Sequence, residues 1–424
     1  LAAATRILDS GYNEDLLLLE KSPTLGGRAG TLEYDGRILD IGQHMYVSGF
    51  QFYLDFIKTI GLGEALRTQE KLDAEFRDSS GASGEVRGSK LPPPFHLAPS
   101  LLKFPFISTI DKFSLIGPAV SALLFDYKKT DDEISFGNWL RKKGATEGSI
   151  EKLWNQIIVP TLNARVDDVS LPMGMMILKR VLLDRKGGKL GRLSGSLSRI
   201  GDSATRFIES RGGEVRTGSL VKSIELEEDG DRIVRMKDGS VEKAETIISA
   251  IPGHRLEKVL SESTREKFYN HFWNMNWNSI VNVHLFFEDS VMDREFFGYL
   301  DGSAGWAFNV SWNGPESGKH VCLTISDPGE LAEMPSEDLV DLVEEQLSVP
   351  LPEIRRTSRK DSIVIYQPRA TFEPSPSSHS LRPPQNPEQS GLLLAGDWTD
   401  TGWPSTMESA IRSGYFAAHE FLEA

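Results

Sequence analysis

An acidic residue directly follows a short apolar run near the start of the chain. Residues 16–19 are all leucine, and Glu20 comes next. Such a run predicts a buried parallel strand, and a carboxylate at the carboxyl end of that strand accepts hydrogen bonds from ribose hydroxyls. Residues 1–8 predict a helix that ends before Gly11. Helix, turn, strand and acid together indicate the second half of a βαβ dinucleotide-binding unit.

A glycine-arginine motif, LGGRAGT, follows Glu20. Gly26 and Gly27 let backbone N–H groups approach a diphosphate closely, and Arg28 offers that diphosphate a fork of donors. Alone, the motif could be an ordinary glycine-rich turn, but its closeness to Glu20 favours nucleotide binding. The glycine fingerprint GxGxxG is expected ahead of the printed sequence.

A further glycine occurs in residues 40–44, DIGQH. Gly42 allows a planar ring to pass close to the backbone, with Gln43 and His44 beside it. A single histidine more often has a structural role than a catalytic one. His44 is therefore a candidate ring contact and equally a candidate structural residue.

The C-terminal part of the chain has a second strong pattern. A leucine run leads to Gly396 and Asp397, and MESA follows at residues 407–410. This order predicts a buried strand, a turn and a helix that begins near Met407. The N-terminus of that helix presents free N–H groups and positive potential, which stabilise negative charge on a reduced ring. Asp397 is placed to bond the sugar-like chain or the diphosphate of the same nucleotide.

Composition excludes several classes of function. A net charge of −14 argues against nucleic acid, which selects basic surfaces. The single cysteine, Cys322, excludes an internal disulfide and a four-thiolate metal site, and no metal is expected. The segment that most resembles a membrane span, residues 113–125, has 13 uncharged residues and is too short to span a bilayer. These features favour the cytoplasm, although residue 1 is not Met and any targeting signal would precede it.

The order of predicted elements indicates an α/β fold, with a Rossmann-type cofactor domain that other segments interrupt. Residues 76–185 have a mainly helical pattern, and residues 256–387 predict a substrate domain with a mixed sheet. The cofactor domain is expected to be discontinuous, formed by residues 1–75, 186–255 and 388–424.

The motifs together resemble one known family. LLEKSPTLGGRAG, with GDW and MESAIRSG near the C-terminus, is similar to the FAD-dependent amine-oxidase/phytoene-desaturase superfamily. Narrower matches resemble its squalene-associated branch, the hydroxysqualene dehydroxylases. They are IGQH at 41–44, HLAPSLL at 96–102, PTLN at 160–163 and GDWTDTGWPSTME at 396–408. The resemblance extends over nearly the whole chain.

This resemblance implies a non-covalent FAD, with Val221 meeting the adenine through its backbone. The residues expected to contact FAD are Glu20, Gly26, Gly27, Arg28, Gly42, Gln43, His44, Val221, Gly396, Asp397 and Met407. The resemblance also implies the reaction. Reduced flavin gives hydride to hydroxysqualene, and loss of the allylic hydroxyl yields squalene, a hopanoid precursor.

Several other functions stay open. A carotenoid-type desaturase would act on a similar polyprenyl chain in the opposite redox direction. An amine oxidase is disfavoured, because similar amine oxidases place an aromatic residue just before the Met-Glu pair, where this chain has Thr406. A non-catalytic flavoprotein and a flavin-free lipid carrier are the alternatives from other classes.

Loss of hydroxide from an allylic alcohol requires a proton donor or a stabilised cation. His44, Asn163 and Asp400 are the candidate catalytic residues. Aromatic side chains could line an apolar tunnel or pack in the core of the substrate domain; those considered are Trp273, Trp277, Trp306 and Trp312. The sequence has no second nucleotide fingerprint, so the electron donor is not identified.

Residues 91–129 combine apolar runs, at 104–107 and 113–125, with a local positive charge. Four lysines against two aspartates give the segment a net charge of +2 within an acidic chain. Apolar surface with nearby basic residues is typical of an element that lies on a membrane without spanning it. The segment is expected either to dock on the cytoplasmic face of the membrane and admit an isoprenoid, or to pack against the substrate cavity.

Overall fold

The computed structural model describes residues 1–127, 132–184, 186–226, 232–266, 274–301, 305–387 and 391–424. Its strands are β1 Leu17–Leu19, β2 Thr31–Tyr34, β3 Arg37–Asp40, β4 Met45–Val47, β5 Leu66–Thr68, β6 Asp73–Arg77, β7 Ser83–Arg87, β8 Leu190–Leu193, β9 Glu214–Arg216, β10 Val221–Leu226, β11 Arg232–Met236, β12 Val241–Ala244, β13 Ile247–Ser249, β14 Trp277–Phe287, β15 Phe296–Tyr299, β16 Trp306–Asn309, β17 His320–Ser326, β18 Arg359–Phe372 and β19 Leu392–Leu394.

The helices are α1 Ala2–Asp9, α2 Gln51–Thr59, α3 Ala98–Lys103, α4 Thr109–Ser114, α5 Ile116–Leu123, α6 Phe136–Lys142, α7 Glu147–Ser149, α8 Asn155–Leu162, α9 Leu171–Ile177, α10 Ser198–Glu209, α11 Gly253–Leu256, α12 Glu262–Glu266, α13 Ser336–Leu347 and α14 Met407–Glu423. Wider π-helical turns join α7 to α8 and follow α9.

Two pairs of parallel strands bring together segments that lie far apart in the chain. β1 pairs with β9, and β13 pairs with β19. The run at 16–19 was expected to form a buried strand, but β1 is only half-buried. The leucines on one side of this run pack against a small apolar cluster formed by residues of α1 and α10. The leucines of β19 are fully buried, as predicted.

The largest sheet has seven strands in the order β18-β14-β17-β16-β15-β6-β7. The long strands β14 and β18 pair antiparallel along most of their length, and β15 runs parallel to β6. Helix α13 packs on this sheet through a separate apolar core. The predicted division at residue 75 lies inside β6, because β6 and β7 form one edge of the sheet. The mixed α/β class expected from the sequence is confirmed.

Helices α3 to α9 lie between these strands in the chain, and the largest apolar core includes residues from most of them. Within the described ranges, no helix is both long enough and apolar enough to cross a membrane.

Candidate functional site

Arg28 connects three parts of the candidate site. It lies in the 3-10 turn Gly27–Ala29, which follows Gly26. Gly26 and Gly27 have φ angles of 119° and 59°, a region that favours glycine and explains the predicted pair. The Arg28 Nη1 donates to the carbonyl oxygen of Ala370 at 2.5 Å, and its Nη2 pairs with the carboxylate of Asp397. The glycine-arginine turn is therefore tied both to the end of β18 and to the turn after β19.

Hydrogen bonds with several side chains hold the turn after β19 in place. Gly396 has a φ of 136°, and its N–H donates to Ser413 Oγ at 2.7 Å. Arg382, which is buried, donates to the backbone oxygens of Asp397 and Thr399 at 3.1 and 2.5 Å. Burial lowers the pKa of Arg382 to about 10, so it remains charged at neutral pH. The second carboxylate oxygen of Asp397 accepts a hydrogen bond from Ser405.

Helix α14 begins beside this turn. Thr406 caps it by accepting from Ser409 N at 3.2 Å, and Ser409 Oγ donates to the backbone oxygen of Asp397 at 3.1 Å. Met407 is the first residue of the helix and is half-buried. The buried Glu408 carboxylate accepts from Tyr53 N at 2.9 Å, which joins α14 to α2. The N-terminus of a long helix thus lies next to Asp397, as the sequence predicts.

The loop with Gly42 contacts the glycine-arginine turn. His44 Nε2 donates to the carbonyl oxygen of Arg28 at 3.1 Å. Burial lowers the pKa of His44 more than its hydrogen bond to the Arg28 carbonyl raises it, and the charge of Arg28 lowers it further, so the imidazole is neutral at pH 7. A Cβ on Gly42 would lie 3.1 Å from His44 Nε2, so a side chain there would press on the imidazole. This geometry favours a positioning role for His44 over proton delivery.

Side chains of the large sheet donate hydrogen bonds to the loop that contains Gly42. The carbonyl oxygen of Ile41 accepts from Gln367 Nε2 at 2.9 Å and from Asn282 Nδ2 at 3.2 Å. Asn282 is itself oriented by Thr324, whose hydroxyl donates to its Oδ1 at 2.7 Å. Sequence reasoning missed Gln367 and Asn282, because only the register of β14 and β18 brings them to this loop.

Glu20 and Val221 lie together in another part of the structure. Glu20 Oε1 accepts from Ser22 N, and its backbone oxygen accepts from Ser219 N, both at 2.8 Å. Val221 begins β10 just beyond Ser219. A surface cavity of about 280 Å³ is lined by residues that flank these loops, including Leu220. Neither Glu20 nor Val221 lines this cavity, and their contacts with the ribose and the adenine stay predictions.

The other two candidate catalytic residues are attached to the scaffold. Asn163 ends α8 with a left-handed φ of 55°, and its amide donates to Thr371 Oγ1 at 2.9 Å and accepts from Asp327 N at 2.7 Å. Asp400 is exposed and accepts from Gly402 N at 3.2 Å. In the described part of the chain neither side chain bonds to the network around Arg28.

The tryptophans divide into different environments. The Trp277 ring lies 5.9 Å from the Arg28 guanidinium and meets His254 edge-on at 4.7 Å. Trp306 packs on Phe76 within the large sheet. Trp312 is half-buried, and Trp273 lies outside the described residues. His254 was missed from the sequence, although its place just after a parallel strand is a signal that could have found it.

These residues fit a flavin dinucleotide. The Nε2 of Gln43 is a buried donor without a hydrogen-bond partner in the described structure. A Cβ on Gly27 would meet nothing within 4 Å, so a ligand can approach its backbone. Arg28 offers donors suited to a diphosphate, and the N-terminus of α14 suits a ring that gains negative charge.

Comparison with known proteins agrees with this interpretation. The family model described as flavin containing amine oxidoreductase matches residues 1–422. The chain is 25% identical to the hydroxysqualene dehydroxylase of Zymomonas mobilis, covering 99% of this chain and 95% of that protein. It is 24% identical to the 15-cis-phytoene desaturase of Solanum lycopersicum, covering 100% and 76%. The crystal structure of an oxidoreductase from Methanosarcina mazei superposes with a TM-score of 0.74 at 17% identity, covering 100% and 97%.

Because the family model spans almost the entire chain and the site fits the cofactor, the protein is a flavin-dependent oxidoreductase. It belongs to the flavin-containing amine oxidoreductase family, with FAD as its cofactor.

Proposed function

We propose that the protein removes the allylic hydroxyl of hydroxysqualene and replaces it with hydride, giving squalene and water. The carbon–oxygen bond breaks, the hydroxyl leaves with one proton, and a new carbon–hydrogen bond forms. When bound in its reduced form, FAD supplies the hydride and is oxidised.

One observation carries this proposal. Residues 396–408, one of the narrower matches to the dehydroxylases, are also the segment that forms the turn after β19 and the start of α14. Thr399 Oγ1 donates to the Gly396 oxygen at 2.9 Å, and Thr401 Oγ1 lies 2.6 Å from Ser409 Oγ. Residues that carry the resemblance to this branch therefore help to form the turn beside Arg28, which supports the proposal.

The role of Thr406 supports the same proposal against amine oxidation. Its hydroxyl caps α14, at the position where similar amine oxidases carry an aromatic residue. A capping threonine offers no aromatic face for a substrate nitrogen. The proposal therefore places an apolar chain at this end of the site.

Among the described residues, the candidates His44 and Asn163 are held by hydrogen bonds of their own and do not offer a free acid. His44 is neutral with its Nε2–H already donated, and the Asn163 amide is engaged on both sides. This arrangement favours a water molecule as the source of the proton that leaves with the hydroxyl.

The experiment is an anaerobic incubation of photoreduced, FAD-loaded protein with hydroxysqualene, followed by mass spectrometry of the extracted lipid. We expect squalene from the reduced protein and none from the oxidised protein. The matched reaction is oxidised protein with phytoene, because phytoene desaturases are equally similar relatives. Desaturated phytoene without squalene would replace the proposal by the desaturase alternative.

We also propose that the protein meets its substrate at a membrane surface. Within residues 91–127, many large apolar side chains are exposed. The most exposed are Phe95 60%, Leu102 64%, Ile110 73%, Phe113 65%, Ile116 58% and Leu124 84%. An apolar surface of this extent usually marks an interaction site.

Helix α5 has its large residues on the outside. Ile116, Val120 and Leu123 follow helical spacing on an exposed face, whereas Pro118 and Ala122 are the buried residues. A surface helix in water normally has the opposite arrangement, with its large apolar residues inside. This inversion supports a bilayer as the medium around α5.

The apolar run at 104–107 belongs to the core instead. Phe104 is 1% exposed and meets Phe76 edge-on at 5.6 Å, and Ile107 is also buried. Lys103 is exposed beside the apolar surface and suits anionic headgroups. Lys128 and Lys129, which contribute to the expected positive charge, lie outside the described residues.

Flotation with anionic phosphatidylglycerol vesicles tests the membrane proposal. We expect wild-type protein to float with the vesicles and a Phe113→Ser/Leu124→Ser variant to stay in the soluble fraction. A matched control is Tyr34→Ser/Ile38→Ser, which removes exposed apolar residues elsewhere. Wild-type protein that stays soluble, or a control that loses binding equally, would contradict the proposal.

A further inference from the structure

A row of polar side chains crosses one face of the large sheet. Because residues paired directly across two strands point to the same side, Asn282 and His284 of β14 share a face with Thr324 and Cys322 of β17. The opposite face of the same strands, which includes Val283, belongs to the apolar core formed with α13. The polar row therefore lies on the side of the sheet that faces away from α13.

Hydrogen bonds connect the row from one end to the other. The ring nitrogens His284 Nδ1 and His320 Nε2 lie 2.9 Å apart. Cys322 Sγ lies 3.7 Å from His284 Nε2 and 4.0 Å from Thr324 Oγ1, and the Thr324 hydroxyl donates to Asn282 Oδ1 at 2.7 Å. The two imidazoles, the thiol and the hydroxyl can each both donate and accept a hydrogen.

The middle of the row is buried, whereas its outer end reaches the surface. His284 and Cys322 are 0% exposed, but His320 is half-buried. The His320 ring stacks on Phe286 at 4.1 Å, and the Arg37 guanidinium lies 4.5 Å from the Phe286 ring. Since the Arg37 side chain is 40% exposed, His320 lies close to solvent.

The inner end of the row lies beside the candidate site. Asn282 Nδ2 donates to the carbonyl oxygen of Ile41, the residue before Gly42, at 3.2 Å. Thr324 and its cross-strand neighbour Trp306 are both half-buried, although β16 and β17 are inner strands of the sheet. The Thr324 hydroxyl is therefore partly accessible next to the loop expected to contact the flavin ring.

The chemistry of the row suits the transfer of protons. Burial lowers the pKa of His284 to about 4 and that of His320 to about 3, so both imidazoles are neutral at pH 7, and it raises the pKa of the Cys322 thiol to about 12. Burying such polar groups costs free energy that apolar residues would not cost, so packing alone does not explain them. Within the described ranges, no group of three or more His, Cys, Asp or Glu side chains could hold a metal ion. A neutral imidazole, in contrast, can accept a proton on one nitrogen and release one from the other.

We propose that His320, His284, Cys322 and Thr324 form a relay that carries protons from the surface to the candidate site. The inference rests on the proposed function, in which each hydroxyl that leaves as water requires one proton. A proton enters at His320, each group gives up one hydrogen as it accepts another, and Thr324 passes one to the water molecule that protonates the hydroxyl.

The outer half of the relay is tested in apoprotein, without FAD or substrate. NMR of protein with isotope-labelled histidine measures how fast the ring N–H of His284 exchanges with solvent. In the wild type we expect exchange at least about tenfold faster than for His96, a buried imidazole outside the row that is 2% exposed. His320→Gln should slow the exchange of His284 to the rate of His96, because the amide side chain is polar but cannot pass a proton on. An unchanged His96 signal shows that the variant is folded.

The inner half is tested with photoreduced, FAD-loaded protein and hydroxysqualene. Cys322→Ala should lower the rate constant of squalene formation at least about tenfold without changing KM, and Cys322→Ser should recover most of the rate because it supplies a hydroxyl at the same place. Val283→Ala is the matched control, since it shortens a buried side chain on the opposite face of the sheet and should leave the rate unchanged.

Three results would overturn the relay: exchange of His284 in the wild type as slow as that of His96, exchange that His320→Gln leaves unchanged, or full turnover by Cys322→Ala. If the wild type forms no squalene, the proposed function fails. The exchange measurement in apoprotein is independent of that reaction and still supports or overturns the relay.

Discussion

The pairing of Arg28 with Asp397 leads to a quantitative prediction for Arg28→Met. Asp397 is almost fully buried, with its side chain 6% exposed, whereas the Arg28 side chain is 34% exposed. The substitution removes the fork of donors expected to reach the cofactor and leaves a buried carboxylate without its cation. Charge-assisted hydrogen bonds of this kind contribute about 1.5–3 kcal/mol, which corresponds to an affinity loss of about ten- to a hundredfold.

The same change affects the stability of the apoprotein. Because Arg28 is partly exposed, solvent weakens the pair, and we expect a loss of about 1–2 kcal/mol in the free energy of unfolding. Asp397→Asn in the same background should restore part of that loss, since the unpaired buried charge is then removed. Arg28→Lys should be intermediate, because it keeps the charge and loses the fork.

Two measurements check this reasoning. Fluorescence titration of apoprotein with FAD gives the dissociation constants, and urea unfolding of the two single variants and the double variant gives the coupling energy. An unchanged FAD affinity in Arg28→Met would remove Arg28 from the cofactor site. A coupling energy near zero would show that the pair with Asp397 has no stabilising role.

Three further predictions concern the framework. Phe104→Ala should lower the free energy of unfolding by about 3–5 kcal/mol in urea titrations, whereas the same change at the exposed Phe113 should cost far less. A side chain at Gly117 would overlap the Lys143 carbonyl oxygen, so Gly117→Leu should displace α5 and increase its cleavage in limited proteolysis. Burial lowers the pKa of His284 to about 4, so folded protein binds fewer protons than unfolded protein below pH 6.5. His284 alone should lower the free energy of unfolding by about 2 kcal/mol between pH 7 and pH 5, and His284→Gln should reduce that slope in unfolding experiments at the two pH values.

Local motifs explain which parts of the site could be predicted. Gly26, Gly27 and Arg28 act within one turn, and their left-handed angles and donors are properties of adjacent residues. The turn at Asp397 was predictable for the same reason, since a buried leucine run, a glycine and a helix start follow each other directly. A site feature that a few consecutive residues form by themselves can be predicted without knowledge of the fold.

The residues that were missed depend on long-range pairing. Gln367 reaches Ile41 only because β18 pairs with β14 in one register, and a shift by one residue would turn its side chain to the other face. Likewise, the composition of residues 91–129 predicts an apolar segment, but it does not predict which of its side chains point into the core. Phe104 points inward and packs on Phe76 of β6, whereas Phe113 has no aromatic partner among the described residues and is exposed.

The pairing of early and late strands also bears on how the protein is made. β19 completes its parallel pair with β13, and a Cβ on Gly414 of α14 would lie 2.8 Å from Ala2 of α1. Helix α1 therefore cannot make its contact with α14 until α14 has left the ribosome. Contacts so distant in the chain close slowly, because much loop entropy is lost before any contact compensates for it. We expect the large sheet to fold during synthesis and FAD to be captured only after α14 has been released.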